Sequence, residues 1–252
     1  HLVSRDPDHF WASGQWMTER TGGSDVGTSE TLARKEGDEW RLYGVKWFTS
    51  AVTSPMAMTL ARIENDRGEV IPGSKGLSLF FIKLRNEQGH YNNLEIIRLK
   101  DKLGTMALPT AELRLDGSCA VLVGEVGRGV KTIATLFNVT RIHNSLSAVA
   151  SSRRLLNWAM NYATKREAFG KLLKDHPLHI QTLAELEIEF QGAFHLFFYT
   201  AKLLGLCEAG TEIERKEAAP LLRIYTPLAK LYTAKQNLKI TSEVIESFGG
   251  VG

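Results

Sequence analysis

The sequence predicts an α+β protein in two parts: an antiparallel β-barrel or sandwich over residues 16–126, then an antiparallel α-helical bundle over 127–252. Two observations carry this prediction. Short apolar and β-branched runs fill the first half, with no long helical pattern between them, which suits a barrel or sandwich. After Gly127-Arg128-Gly129 the apolar spacing changes to steps of three and four, as one face of a helix requires.

In the first half, Glu39-Trp40-Arg41-Leu42-Tyr43 and Val45-Lys46-Trp47-Phe48-Thr49 flank Gly44, read here as a turn between two strands. Further strand-like runs cover 56–63, 76–84, 94–99 and 110–115, separated by Gly, Asn, Asp and Pro. In the second half, Val130, Ile133, Leu136, Val139, Ile142, Leu146 and Val149 mark a first helix that continues through Leu156 to Ala163. Leu183, Leu186, Phe190, Ala193, Phe197, Ala201 and Leu204 mark a second, ending near Gly205–Gly210. Leu221, Ile224, Leu228, Leu231, Leu238, Ile245 and Phe248 mark a third, with Pro227 a candidate kink.

Composition excludes several function classes. The 252 residues are 43% hydrophobic and 23% charged, a globular balance. A net charge of +3 gives no global polycation for nucleic acid. No apolar run reaches the roughly 20 residues of a transmembrane helix, so no membrane insertion is expected. Cys119 and Cys207 stand alone, a pattern of reducing compartments: cytoplasm, mitochondrion or peroxisome. The chain opens on His1 and closes on Gly249-Gly250-Val251-Gly252, and reads as a segment cut at both ends.

Three stretches are candidates for chemistry. In Met17-Thr18-Glu19-Arg20-Thr21-Gly22-Gly23-Ser24-Asp25-Val26, glycines let backbone N–H groups approach a ligand, and Thr18 and Ser24 supply short hydroxyls. Its bland reading is a tight loop, and it is neither a dinucleotide fingerprint nor a P-loop. Lys46-Trp47-Phe48-Thr49-Ser50 reads by itself as a half-buried strand. Thr164-Lys165-Arg166-Glu167-Ala168-Phe169-Gly170-Lys171 reads as a charged helix end with Gly170 as its cap. His176 and His179 lack companions for a metal site. Arg153, Arg154, Lys165, Arg166, Lys171 and Lys174 could form a basic stripe, most simply a solvated helix face.

Together these stretches resemble the acyl-CoA dehydrogenase family. The resemblance rests on Met17 to Asp25, Trp47-Phe48-Thr49, Lys102-Leu103-Gly104 with Thr110-Ala111-Glu112-Leu113, Gly127-Arg128-Gly129, Arg166 to Lys171, and Gly249 to Gly252. Thr21-Gly22-Gly23-Ser24-Asp25, His176-Pro177-Leu178 and Tyr225 to Lys230 resemble the family's AidB-like branch. The resemblance implies that residues 1–15 are the tail of a preceding helical domain, 16–126 an FAD-binding β domain and 127–252 a truncated helical domain.

It further implies the following roles. Met17 and Thr18 line the isoalloxazine of FAD, and Gly23 and Ser24 sit by the pyrophosphate or the thioester of the substrate. Trp47 flanks the flavin, while Phe48 and Thr49 approach O4 and N5. Arg166 reaches the FAD diphosphate of a neighbouring subunit in a homodimer or homotetramer, Phe169 packs beside the adenine, and Gly249 and Gly250 pass close to the same cofactor. The implied reaction is α,β-dehydrogenation of an acyl-CoA thioester, with electrons passed on to an electron-transfer flavoprotein. An alternative from the AidB-like branch is a protective protein that binds FAD and acyl-CoA, or DNA, with little turnover. Three departures stand out. Glu246 replaces a common Gln and Met106 a frequent Arg, and the catalytic glutamate is expected beyond Gly252. Its minority position falls on Thr140, which cannot serve as a base, so no catalytic residue is assigned within the chain.

Overall fold

The computed structural model describes residues 1–252, which divide into two compact units, His1–Thr135 and Leu136–Gly252. The first unit holds seven strands: β1 (Ser13–Trp16), β2 (Leu32–Glu36), β3 (Glu39–Ser50), β4 (Met56–Ile63), β5 (Leu77–Lys83), β6 (Leu94–Leu99) and β7 (Thr110–Val123). Pairing runs β4-β2-β3-β7-β5 and returns to β4, so five strands close a ring, with β1 beside β4 and β6 beside β7. Closure leaves few unpaired edges. The sheet is antiparallel except that β1 and β2 each run parallel to β4. This departs from a wholly antiparallel barrel, because the chain leaves the β2–β3 hairpin and returns on the far side of β2. Trp16, Leu42, Ala61, Phe80, Ile82 and Leu113 fill the interior.

Gly44 is not a turn. It lies within one continuous strand β3, where a Cβ would fall 2.8 Å from Cα of Thr31 and 2.7 Å from its hydroxyl. The glycine serves close approach rather than reversal.

The three helices are α1 (Gly129–Ala163), α2 (Pro177–Ala209) and α3 (Glu212–Ser247). The first turns of α1 belong to the β unit: a Cβ on Gly129 would fall 2.5 Å from the backbone of Ser78. In the second unit a small hairpin, β8 (Glu167–Ala168) with β9 (Lys171–Leu172), links α1 to α2. Thr211 caps α3 through a reciprocal box with Glu214.

The predicted face of α2 is the buried one for Leu183, Leu186, Phe190, Ala193 and Phe197. On α1, Ile142 and Val149 are buried but Leu136 and Leu146 are exposed. On α3 the expectation fails. Its buried face is Ala218, Leu222, Thr226, Ala229, Thr233, Ile240 and Val244, whereas Leu221, Ile224, Leu228, Leu231, Leu238 and Ile245 face outward. Small side chains at 218, 226, 229 and 233 let α3 lie close against α2, a preference the count of large apolar residues does not register.

Candidate flavin-binding site

Regular alternation along β3 would point Lys46 and Phe48 to the same side. A register shift between Lys46 and Thr49 intervenes, so Lys46 and Thr49 both point inward and Trp47 and Phe48 lie successively outside. Such bulges re-aim side chains. Trp47 is half-buried and Phe48 is 48% exposed. The backbone N–H of Trp47 donates to the carbonyl of Thr18 (2.8 Å), fixing the loop that follows β1 against this strand. Met17 is buried and Thr18 half-buried. The exposed Gly23 passes so close to Thr18 that a Cβ there would fall 2.9 Å from its hydroxyl, and Ser24 beside it is exposed.

The side chain of Thr49 is wholly buried, and its hydroxyl donates to the carbonyl of Ala111 (2.7 Å), a bond that ties β3 to β7.

Charged residues that sequence reasoning did not assign surround Trp47. Lys100 Nζ lies 3.4 Å from the indole centroid and 4.6 Å from the ring of Phe48, with Arg98 Cζ 5.8 Å and Arg20 Cζ 5.3 Å from the indole. Arg98 and Lys100 both donate to Glu112 Oε1, at 2.8 Å and 2.5 Å. These hydrogen bonds, from Arg98 first and then Lys100, hold the Glu112 carboxyl below its ordinary range. Their signal in the sequence was the alternation of charge along 95–102, which a solvated strand explains equally well.

The remaining predicted residues belong to the second unit and share one end of its bundle. The N–H of Arg166 donates to the carbonyl of Tyr162, and Leu173 N–H donates to the carbonyl of Arg166, both at 2.9 Å. The Tyr162 ring packs on Phe248 with centroids 4.8 Å apart, which places the Gly249–Gly250 turn beside that helix end. Phe169 has φ +50° and is 98% exposed. A left-handed phenylalanine held out from the surface is an unfavourable arrangement for an isolated loop. His176 Nε2 lies 3.0 Å from the carbonyl of Ala168 and steadies the hairpin. The basic stripe is partly spent within the bundle: Arg153 pairs bidentately with Glu187, and Arg154 stacks on Trp158.

Chemically, the first unit offers a flat aromatic surface, short hydroxyls, a glycine cradle over Thr18 and nearby cations. These fit a planar cofactor able to carry negative charge. No group of three or more His, Cys, Asp or Glu side chains gathers to hold a metal ion. No helix is long and apolar enough to cross a membrane.

Residues 14–118 match the acyl-CoA dehydrogenase middle domain, and residues 127–252 match the acyl-CoA dehydrogenase C-terminal domain. The chain belongs to the acyl-CoA dehydrogenase family. Over its whole length it is 49% identical to acyl-CoA dehydrogenase family member 11 of Caenorhabditis elegans, spanning 41% of that protein. It is 32% identical to AidB of Escherichia coli (strain K12), spanning 44% of it. The structure of Caenorhabditis elegans ACDH-11 in complex with C11-CoA superposes with a TM-score of 0.93 at 49% identity, over 99% of this chain and 42% of that one. The chain thus spans about two-fifths of the length of these acyl-CoA dehydrogenase relatives.

Proposed function

We propose that the chain forms the flavin-holding part of an FAD-dependent acyl-CoA dehydrogenase that oxidises the α,β bond of an acyl-CoA thioester. The observation that carries this reading is the outward pair Trp47 and Phe48 facing the Thr18 loop, in a chain of this family. FAD, when bound, supplies the acceptor for the hydride that leaves the β-carbon. Trp47 and Phe48 offer a planar surface for the ring system, Met17 an apolar wall and Thr18 a hydroxyl. Ser24, exposed beside Gly23, is placed to meet either a phosphate or the thioester. Arg166, Phe169, Gly249 and Gly250 form a second contact set, which we assign to the FAD of a neighbouring subunit. The outward apolar stripe of α3 supports an assembly of several copies, since so much apolar surface is rarely left in water.

The α-proton must pass to a base, and the paired carboxylates Glu19 and Glu112 are ill-suited. Glu19 is tied to Lys46 and Glu112 to Arg98 and Lys100. Thr140 donates its hydroxyl to the carbonyl of Leu136 (2.8 Å) and is no base at neutral pH. The proton acceptor is none of these three. Electrons would leave to an electron-transfer flavoprotein. That a relative was solved in complex with C11-CoA supports an acyl-CoA ligand rather than DNA.

Anaerobic mixing of the flavin-loaded full-length protein with a series of acyl-CoAs tests the proposal, since no base is assigned within this chain. The visible band of oxidised flavin should be lost, with one enoyl-CoA formed per flavin. Unchanged flavin with every chain length, and no enoyl product, would contradict it.

A further inference from the structure

Directly beneath the aromatic face lies a buried charge pair. Lys46 Nζ donates to Glu19 Oε1 (2.6 Å) and to the carbonyl of Leu60 on β4 (2.8 Å), and the two side chains are 0% and 3% exposed. Glu19 Oε2 accepts from the N–H of Glu30 (2.6 Å). Its Oε1 also accepts from the Thr31 hydroxyl (2.6 Å) and N–H (3.3 Å). Thr31 reaches this position because Gly44 leaves room for it.

The topology gives these bonds a particular effect. Residues 20–29 form the loop that carries Gly23 and Ser24, and Glu19 holds both of its ends. At the near end, the Glu19 and Gly22 backbones exchange hydrogen bonds of 3.2 Å and 3.1 Å. At the far end, the carboxylate grips Glu30 and Thr31. Lys46 fixes that carboxylate to β3, one residue before Trp47, whose N–H is bonded to the Thr18 carbonyl. Two charges taken out of water gain little over an apolar pair of the same volume, so stability alone does not account for them. Specific geometry does: the carboxylate has acceptor sites for Lys46, Glu30 and Thr31 at once, which no apolar side chain offers.

We propose that Glu19, paired with Lys46, is a positioning residue that clasps the 20–29 loop shut and holds Thr18 and Gly23 against the Trp47–Phe48 face. This rests on the reading that this face holds FAD. Neither side chain is exposed enough to touch the cofactor, so the pair acts through the backbone of its neighbours.

The test is the double variant Glu19→Gln/Lys46→Met in the intact protein. It removes both charges and leaves neither one buried alone. Far-UV circular dichroism and thermal melting establish that it folds. Two readouts then follow: trypsin cleavage after the exposed Arg20 in flavin-free protein, and FAD affinity by titration. A clasp predicts cleavage faster by about tenfold or more and FAD binding weaker by about tenfold. The bound-flavin visible spectrum should shift, which a change in global stability would not produce. A folded double variant within twofold of wild type in both cleavage and affinity would overturn the proposal. A wild-type protein that takes no FAD would sink the functional reading alone, and the Arg20 cleavage comparison would still decide on the clasp.

Discussion

Replacing Glu19 with Ala should lower the stability of the protein by about 3–5 kcal/mol, the usual cost of leaving the partner of a buried pair uncompensated. The variant strands Lys46, whose charged form burial already disfavours, with only the Leu60 carbonyl as partner. It also deprives the Glu30 and Thr31 N–H groups of their acceptor. The pH dependence follows from the direction of the shift. Burial by itself would raise the Glu19 carboxyl. The adjacent Lys46 charge, with hydrogen bonds from Lys46, Thr31 and Glu30, outweighs it and holds the group below its ordinary 4.5. A carboxyl depressed in the folded state contributes fully above its unfolded value, and that contribution fades as pH falls through the folded value. The gap between wild type and Glu19→Ala should therefore narrow as pH falls below about 4.5. Urea unfolding at several pH values measures it. A gap under about 1 kcal/mol at neutral pH, or one that does not narrow below about pH 4.5, would contradict the buried-pair account.

Replacing Arg166 with Ala should weaken FAD binding by roughly ten- to a hundredfold, while Lys174→Ala leaves it close to wild type. The loss of a charge-assisted hydrogen bond to phosphate costs on the order of 1.5–3 kcal/mol. Both side chains are exposed, so stability should change little in either variant. Arg166 differs in its setting. Its backbone is pinned on both sides, to Tyr162 and Leu173, at the root of the hairpin that holds Phe169 outward. Lys174 lies in the single turn that follows the hairpin. A guanidinium also presents paired donors that match phosphate oxygens, which an ammonium does not. In a mixed dimer the defect should appear in the partner subunit's site. Equal effects of the two substitutions, or a defect confined to the altered subunit, would remove Arg166 from the shared-site assignment.

Much of this was readable from the chain. The change from short apolar runs to steps of three and four located the helices, and α1 runs to Ala163 as the spacing predicts. The features that escaped are those set by neighbours distant in sequence. Gly44 looked like a turn because glycine usually breaks strands, whereas it yields space to Thr31. The shift between Lys46 and Thr49 is invisible to a period-2 reading, yet it decides that Phe48 faces out and Thr49 faces in. On α3 both faces carry apolar residues, and the one with the smaller side chains packs. The Glu19–Lys46 pair could not be inferred either, since partners 27 positions apart meet only once the strands are in register.

The proposed flavin surface is formed by the Thr18 loop and the Trp47–Phe48 strand segment. Titrating FAD into flavin-free protein, with flavin fluorescence as the signal, tests it most directly when wild type is compared with Trp47→Ala. Stacking on an aromatic side chain contributes about 1–3 kcal/mol. Wild type should bind saturably with strong quenching. In the variant, affinity should be lower by roughly five- to a hundredfold and quenching reduced. Wild-type protein that leaves flavin fluorescence unchanged, or a Trp47→Ala variant that binds and quenches as wild type does, would contradict it.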